Sequence, residues 1–157
     1  MLNNKKILIT GIANKFSIAN GIAQSMSKNG AELAFAYQNE RLLKKIKPIA
    51  DDLGVKTLIE CDVACDKSIE QTFSQLADEW GTLDGIVHSI GFAPSDQLDG
   101  DFTEVTTREG FQIAHDISSY SFTALAKGAL PILSENAALL TLTYLGSIQS
   151  LPNYNVM

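Results

Sequence analysis

Lys6-Ile7-Leu8-Ile9-Thr10-Gly11-Ile12-Ala13-Asn14-Lys15-Phe16-Ser17-Ile18-Ala19-Asn20-Gly21-Ile22-Ala23 decides the fold of this 157-residue chain. A short apolar run with β-branched members stops at a glycine, as a buried parallel strand does. A loop follows, and then Ile18, Ala19, Ile22, Ala23 and Met26 recur at helical spacing until Asn29-Gly30 supplies a left-handed stop. The stretch therefore reads as strand, loop and a helix over 18–28. A turn of this kind aims free backbone N–H groups and a helix dipole at one point in space, where an anion such as a pyrophosphate is favoured. Gly11 permits the tight turn. The pattern departs from G-x-G-x-x-G, because the next glycine after Gly11 is Gly21, inside the helix. On its own the loop also fits a strand-to-helix turn with no ligand.

The same alternation continues outward. Leu33 to Tyr37 reads as a strand, and Leu42, Leu43, Ile46, Ile49 and Leu53 as one face of a helix with Pro48 inside it, a residue that disfavours helical continuity. Thr57 to Cys61 reads as a third strand. Asp66 or Ser68 is placed to cap a third helix, with Gln71 completing a capping box on Ser68 and Gly81 closing the helix after Trp80. A fourth strand, Leu83 to Ser89, leads into a polar loop over Gly91 to Gly100. A long helix from about Thr107 to Lys127 follows, its start marked by Thr106 with Glu109. Ala137 to Tyr144 reads as a fifth strand, and the residues through Met157 as loop.

Strands alternating with helices imply an α/β fold: a doubly wound, Rossmann-type parallel sheet with helices on both faces, formed as one dinucleotide-binding domain over 1–157. Ligands of such sheets sit at the carboxyl ends of the strands, where strand order reverses. The segments that matter are then Gly11–Ser17, Gln38–Arg41, Asp62–Ala64, Ser89–Ala93 and Tyr144–Tyr154. Many such sites place an acid after strand two to bond the adenosine ribose, whereas an arginine there accommodates a 2′-phosphate. Here Gln38 holds that place, flanked by Glu40 and Arg41. The charges lean towards NADH and leave NADPH open. Asp62 offers an acceptor for an adenine amine and Val63 an apolar side for the ring, although Asp62 can equally satisfy local backbone donors.

Composition bounds the partners. Twelve Lys and Arg against 18 Asp and Glu give a net charge of −6, so no global positive field gathers nucleic acid or an anionic membrane. No signal-peptide pattern and no 18-residue apolar run occur, and the chain reads as soluble and cytoplasmic. Cys61 and Cys65 are spaced unlike a metal-binding pair, so no metal site is expected. His88 and His115 read as structural, and Asp96, Asp99 and Asp101 as a solvated turn without the glycine and glutamate of a calcium loop.

Assembled, these residues resemble the enoyl-acyl carrier protein reductases of bacterial type II fatty acid synthesis, a branch of the short-chain dehydrogenase/reductase superfamily. The resemblance rests on Gly11-Ile12-Ala13 with Ser17-Ile18-Ala19-x-Gly21-Ile22-Ala23, Ala34-Phe35-Ala36-Tyr37-Gln38 and Cys61-Asp62-Val63. It also rests on His88-Ser89-Ile90-Gly91-Phe92-Ala93, the run His115 to Ser121, Tyr144-Leu145-Gly146 and Pro152-Asn153-Tyr154-Asn155-Val156-Met157. The resemblance implies that Gly11, Ser17 and Ile18 hold the pyrophosphate, Gln38 faces the adenosine ribose, and Asp62 and Val63 hold the adenine. Ser89, Ile90 and Gly91 would lie beside the nicotinamide, and Ala93 would contact substrate. Tyr154 would donate to the thioester carbonyl oxygen while hydride from NADH adds to the β-carbon of a trans-2-enoyl thioester, and Tyr144 would line the acyl pocket. For either tyrosine the plainer reading is a packed ring with a bonded hydroxyl. The family further implies a substrate carried on acyl carrier protein and a homotetramer. Other readings are a ketone- or alcohol-directed reductase on the same fold and a noncatalytic nucleotide-binding module.

The resemblance also implies a lysine seven positions after the catalytic tyrosine, a place beyond Met157, and a sheet of more than five strands. The chain therefore reads as the N-terminal part of a longer protein. Residues 1–157 alone are expected to lack full turnover, and comparable rates from this segment and from a version extended past the lysine position would contradict that.

Overall fold

The computed structural model describes Met1–Met157. Its regular elements are β1 (Lys6–Ile9), α1 (Ile18–Lys28), β2 (Glu32–Tyr37), α2 (Glu40–Leu53), β3 (Thr57–Glu60), α3 (Asp66–Trp80) and β4 (Leu83–His88). After them come α4 (Phe102–Val105), α5 (Arg108–His115), a π-turn over Asp116–Tyr120, α6 (Ser121–Ala129) and β5 (Leu133–Thr141). Single 3₁₀ turns lie at Ser95–Gln97 and Leu145–Ser147.

All strand pairings are parallel and the order is β3-β2-β1-β4-β5. The expected doubly wound sheet is present, and its order reverses between β1 and β4. Alternation along the strands divides the core into two. Ile7, Ile9, Leu33, Phe35 and Val87 face Ala19 and Ala23 of α1 and Ile46 and Ala50 of α2. Leu8, Ala34, Ala36, Ile59 and Ile86 face Ile69, Phe73 and Leu76 of α3 and Ala124, Leu125 and Ala129 of α6. Each large aliphatic or aromatic side chain buried this way contributes about 1.5–3 kcal/mol, so both helix layers are fixed to one sheet from opposite sides. The sheet in turn fixes where its strand ends lie.

Several local expectations are corrected. Thr107, not Thr106, caps α5: its side chain accepts from the Gly110 N–H, and the Thr106 hydroxyl has no partner. The Ser68–Gln71 box does not form, because Ser68 Oγ accepts from the Asp62 N–H at 2.9 Å and the cap position is Cys65. The single helix expected over 107–127 is α5 and α6 joined by the π-turn, and a strand-like end at Ser89 shortens to His88. Helical periodicity does not register one extra residue per turn, which is what a π-turn adds. β5 lies earlier than Ala137–Tyr144. Leu133 already pairs with Leu83, and a shift then brings Ala138 opposite Gly85. The loop expected over 91–100 includes the 3₁₀ turn at 95–97, and α4 follows it. Pro48 leaves α2 unbroken, with Asn39 capping its start and Gly54 ending it in a left-handed conformation. Burial of Ile46 and Ala50 outweighs one missing backbone bond.

At the amino end of the sheet Asp84 ties three strands together. Its carboxylate accepts from Lys5 Nζ at 2.8 Å, the Lys6 N–H at 3.0 Å and Ser134 Oγ at 2.9 Å. At the carboxyl end, Gly11 has φ +85 and lies so close to the Ser89 carbonyl that a Cβ there would overlap it. This contact joins the ends of β1 and β4 at the reversal point.

Both anchors give expectations. The Lys5 bond, with the Lys6 and Ser134 bonds, holds the Asp84 carboxyl below its ordinary range against a smaller opposing effect of burial. Its stabilising contribution is therefore complete above about pH 4 and is lost as pH falls through the lowered folded value. Asp84→Asn should cost about 1–2 kcal/mol at neutral pH and flatten the acid limb of stability, measured by urea unfolding at a series of pH values. An unchanged acid limb would remove Asp84 from this role. Gly11→Ala should cost on the order of 2 kcal/mol or more, since it combines a positive φ with a backbone overlap. A thermal midpoint equal to that of the parent chain would contradict the contact.

Candidate active site at the carboxyl ends of the strands

The turn after β1 is held by its own polar groups. Ser17 Oγ accepts from the Ala13 and Asn14 N–H groups at 3.0 and 3.1 Å, and Asn20 Nδ2 donates to the Lys15 carbonyl at 2.9 Å. Ser17 Oγ thus braces the loop as an acceptor, and its own O–H has no partner within the chain. The N–H groups of Ile18 and Ala19, first in α1, have no acceptor within the chain. They are the open donors at a helix N-terminus, where an anion is favoured.

A cavity of about 440 Å³ opens beside this turn, lined by Gly11, Ile12, Ala36, Cys61 and Val63, with Gln38 at its rim. The Cys61 thiol is pushed up by burial and is inert packing. Gln38 is exposed and its Nε2 donates to Asp62 Oδ1 at 3.5 Å. Asp62 Oδ1 also accepts from the Ala64 N–H at 3.2 Å, the local-donor alternative, while its second oxygen has no partner. Neighbouring Tyr37 has its phenol pushed up by burial and then by Glu60 and Glu40. The cleft therefore combines apolar walls, a rim amide and open helix amides. That donor set fits an adenosine pyrophosphate.

A second cavity of about 420 Å³ shares Ser89, Ile90 and Gly91 with the first and adds Ile18, Ala114, Ser118, Leu142, Tyr144, Tyr154 and Met157. The strap Ser89–Gly91 is therefore a common wall. Two interactions fix it. Ser118 Oγ, on the π-turn, accepts from the Phe92 N–H at 2.9 Å and donates to the Phe92 carbonyl at 3.0 Å. Beneath the strap His88 is 1% exposed, with Nε2 2.7 Å from Ser121 Oγ and Nδ1 3.1 Å from Thr141 Oγ1. Ser121 already donates to the Ile117 carbonyl, so Nε2 carries the proton and Nδ1 accepts from Thr141. Burial pushes the His88 pKa down and keeps it neutral, in agreement with a structural role. His115 stacks on Phe111 at 4.0 Å and bonds its carbonyl.

The tyrosines meet although ten residues separate them. Their rings pack edge to face with centroids 4.9 Å apart, and each is 41% exposed at the cavity wall. The Tyr144 phenol is pushed up by desolvation and then by Tyr154, so it is protonated at neutral pH. Because β5 ends at Thr141, Tyr144 stands on a loop and is free to turn towards Tyr154. Gly11, Gln38, Val63, Ser89, Ile90 and Gly91 line the first cavity, and Ile18, Tyr144 and Tyr154 the second. Ser17, Asp62 and Ala93 line neither. The sequence assigns no role to Ser118, Ser121 or Thr141, whose partners lie 26 to 53 residues away and leave no local pattern. No group of three or more His, Cys, Asp or Glu side chains is arranged to hold a metal, and no helix is long and apolar enough to cross a membrane.

Known proteins are similar to this chain in sequence and in fold. The family model described as enoyl-(acyl carrier protein) reductase matches residues 11–157. The NADH enoyl-[acyl-carrier-protein] reductase FabI of Escherichia coli K12 is 56% identical over 156 residues, covering 99% of this chain and 60% of that protein. The Enterococcus faecalis FabI is 46% identical, with 99% and 61% covered. The crystal structure of the NADH reductase from Aquifex aeolicus VF5 superposes with a TM-score of 0.95 at 45% identity, covering 99% of this chain and 62% of that one. The reductase of Anaplasma phagocytophilum, solved in complex with NAD, gives a TM-score of 0.95 at 39% identity, with 99% and 59% covered. The chain thus spans about 60% of the length of the curated relatives it matches. From the match along residues 11–157 and the agreement in fold, this chain belongs to the enoyl-(acyl carrier protein) reductase family.

Proposed function

We propose that the protein to which this chain belongs reduces the trans-2 double bond of enoyl thioesters carried on acyl carrier protein, with NADH as reductant. The observation that carries the reading is the Tyr144–Tyr154 pair on the wall of a cavity that shares Ser89–Gly91 with the cleft beside the β1 turn. The names of the relatives favour enoyl over ketone reduction and NADH over NADPH.

Bound NADH would supply the hydride that adds to the β-carbon. The chain's own residues divide the remaining work. Ile18 and Ala19 offer open amides to the pyrophosphate, Gly11 lets the backbone approach, and Ser17 keeps the loop in shape. Gln38 faces the ribose, and an amide there tolerates hydroxyls without bringing the cation a 2′-phosphate prefers. Val63 covers one side of the adenine, Asp62 offers it a free carboxylate oxygen, and Ser89, Ile90 and Gly91 wall the nicotinamide half. Addition at the β-carbon drives charge onto the thioester oxygen as an enolate, which collapses to the saturated thioester as its α-carbon takes a proton from water. Tyr154 donates a hydrogen bond to that oxygen, a contact that strengthens as charge develops and so lowers the barrier rather than only binding substrate. Tyr144 packs against Tyr154 and lines the acyl side, with Ala93 near the substrate entrance. A homotetramer is the assembly proposed.

The test is NADH oxidation by the full reading frame containing these residues, with trans-2-enoyl and β-ketoacyl thioesters in parallel. Oxidation is expected with the enoyl substrate only, and Tyr154→Phe should lower its kcat on the order of 100-fold with little change in NADH affinity. Turnover of the ketoacyl substrate alone would assign a different reaction to the same fold.

A further inference from the structure

Tyr154 is presented by an unusual backbone. Asn153 and Asn155, on either side of it, have φ of +60 and +24, a region that L residues other than asparagine seldom enter. Such conformations persist only where surroundings hold them. Among the polar contacts of this turn, the long-range one is made by Asn155: its Nδ2 lies 3.2 Å from the Gln97 carbonyl, 3.3 Å from that of Leu98 and 3.3 Å from that of Gly100. Two hydrogens are shared among three acceptors nearly sixty residues away in the chain.

The acceptors are themselves anchored. Gln97 is 3% exposed, and its Oε1 accepts from the Thr107 N–H at 2.8 Å and from Thr107 Oγ1 at 3.1 Å. Gly110 makes room for it, since a Cβ there would overlap the Gln97 side chain. The segment 97–100 is therefore fixed to the start of α5, and α5 runs on into the π-turn whose Ser118 holds the strap at Phe92. Asn155 closes this chain of contacts one residue from the Tyr154 ring.

We infer that Asn155 is a positioning residue for Tyr154: by donating to the carbonyls of Gln97, Leu98 and Gly100 it sets the phenol's height above the strap that both cavities share. The inference rests on the proposed role of Tyr154. It places the effect in the step where the phenol meets the developing charge, and leaves the nucleotide cleft, which Asn155 does not line, unaffected.

The experiment uses the full reading frame and the enoyl thioester assay. Asn155→Gly keeps the positive φ accessible and removes the donor. Asn155→Asp keeps the side-chain shape and turns an acceptor towards three carbonyls. Both should lower kcat about tenfold or more, as a displacement of about 1 Å at a reacting group does, with the NADH dissociation constant held within about twofold. In a Tyr154→Phe background Asn155→Gly should cost less than about twofold further, since residues acting as a unit are not additive. Retention of parent kcat by Asn155→Gly would overturn the inference, as would loss of NADH affinity in step with kcat, or losses that multiply with Tyr154→Phe. An inert Tyr154→Phe alone would overturn the function reading and this inference together, whereas an active-site Tyr154 with an inert Asn155→Gly overturns only the latter.

Discussion

Backbone meets backbone where the turn after β1 passes the end of β4. Gly11 can approach the Ser89 carbonyl because it has no Cβ and accepts a positive φ. This approach occurs at the point where strand order reverses, so it sets the width of the crevice that such sheets offer to ligands. The strap Ser89–Gly91 then becomes a wall common to two cavities, one beside the β1 turn and one carrying the tyrosines. A side chain at position 11 would push the two strand ends apart and uncouple those cavities.

Everything around the strap serves to keep it still. Below it a neutral His88 is bonded on both ring nitrogens, to a hydroxyl on α6 and one on β5. Beside it Ser118 holds both polar groups of Phe92 from a π-turn, a distortion that recurs at functional sites because it re-aims side chains within a helix. Across from it Asn155 reaches the loop that follows. The His88 contacts are buried or partly buried, where a satisfied network specifies one arrangement more sharply than apolar packing does, whereas the Ser118 contacts are exposed.

The fold was legible because its signals are local. Ile7 to Gly11, the 3.6-residue spacing from Ile18 to Met26, and the repetition of that alternation determine a parallel sheet with helices on both faces, and α1 spans the residues its periodicity indicates. Local signals also misled. Thr106 and Ser68 each stand beside a helix start with a polar residue at the right spacing, yet Thr107 makes the cap and Ser68 bonds Asp62 instead. Competing donors within hydrogen-bond reach decided both cases, and one-dimensional spacing does not record them. The bounds of β5 shifted for a related reason, because pairing with β4 through an irregular register, not apolar content, defines that strand.

The sequence by itself determined the strand-end segments, the glycine that the turn requires and, through its resemblance to a family, the roles expected of Gln38, Val63, Tyr144 and Tyr154. Those depend on residue type, chain order and short-range geometry. Only the tertiary structure decided that Ser17 braces its own loop, that Asp62 bonds Gln38 beside the cleft, that Tyr144 and Tyr154 touch, and that Ser118 and Asn155 reach distant loops. Those contacts join residues from 10 to 58 positions apart, or turn on which of several nearby donors wins an acceptor, and both questions are answered only when the sheet has brought the groups within reach.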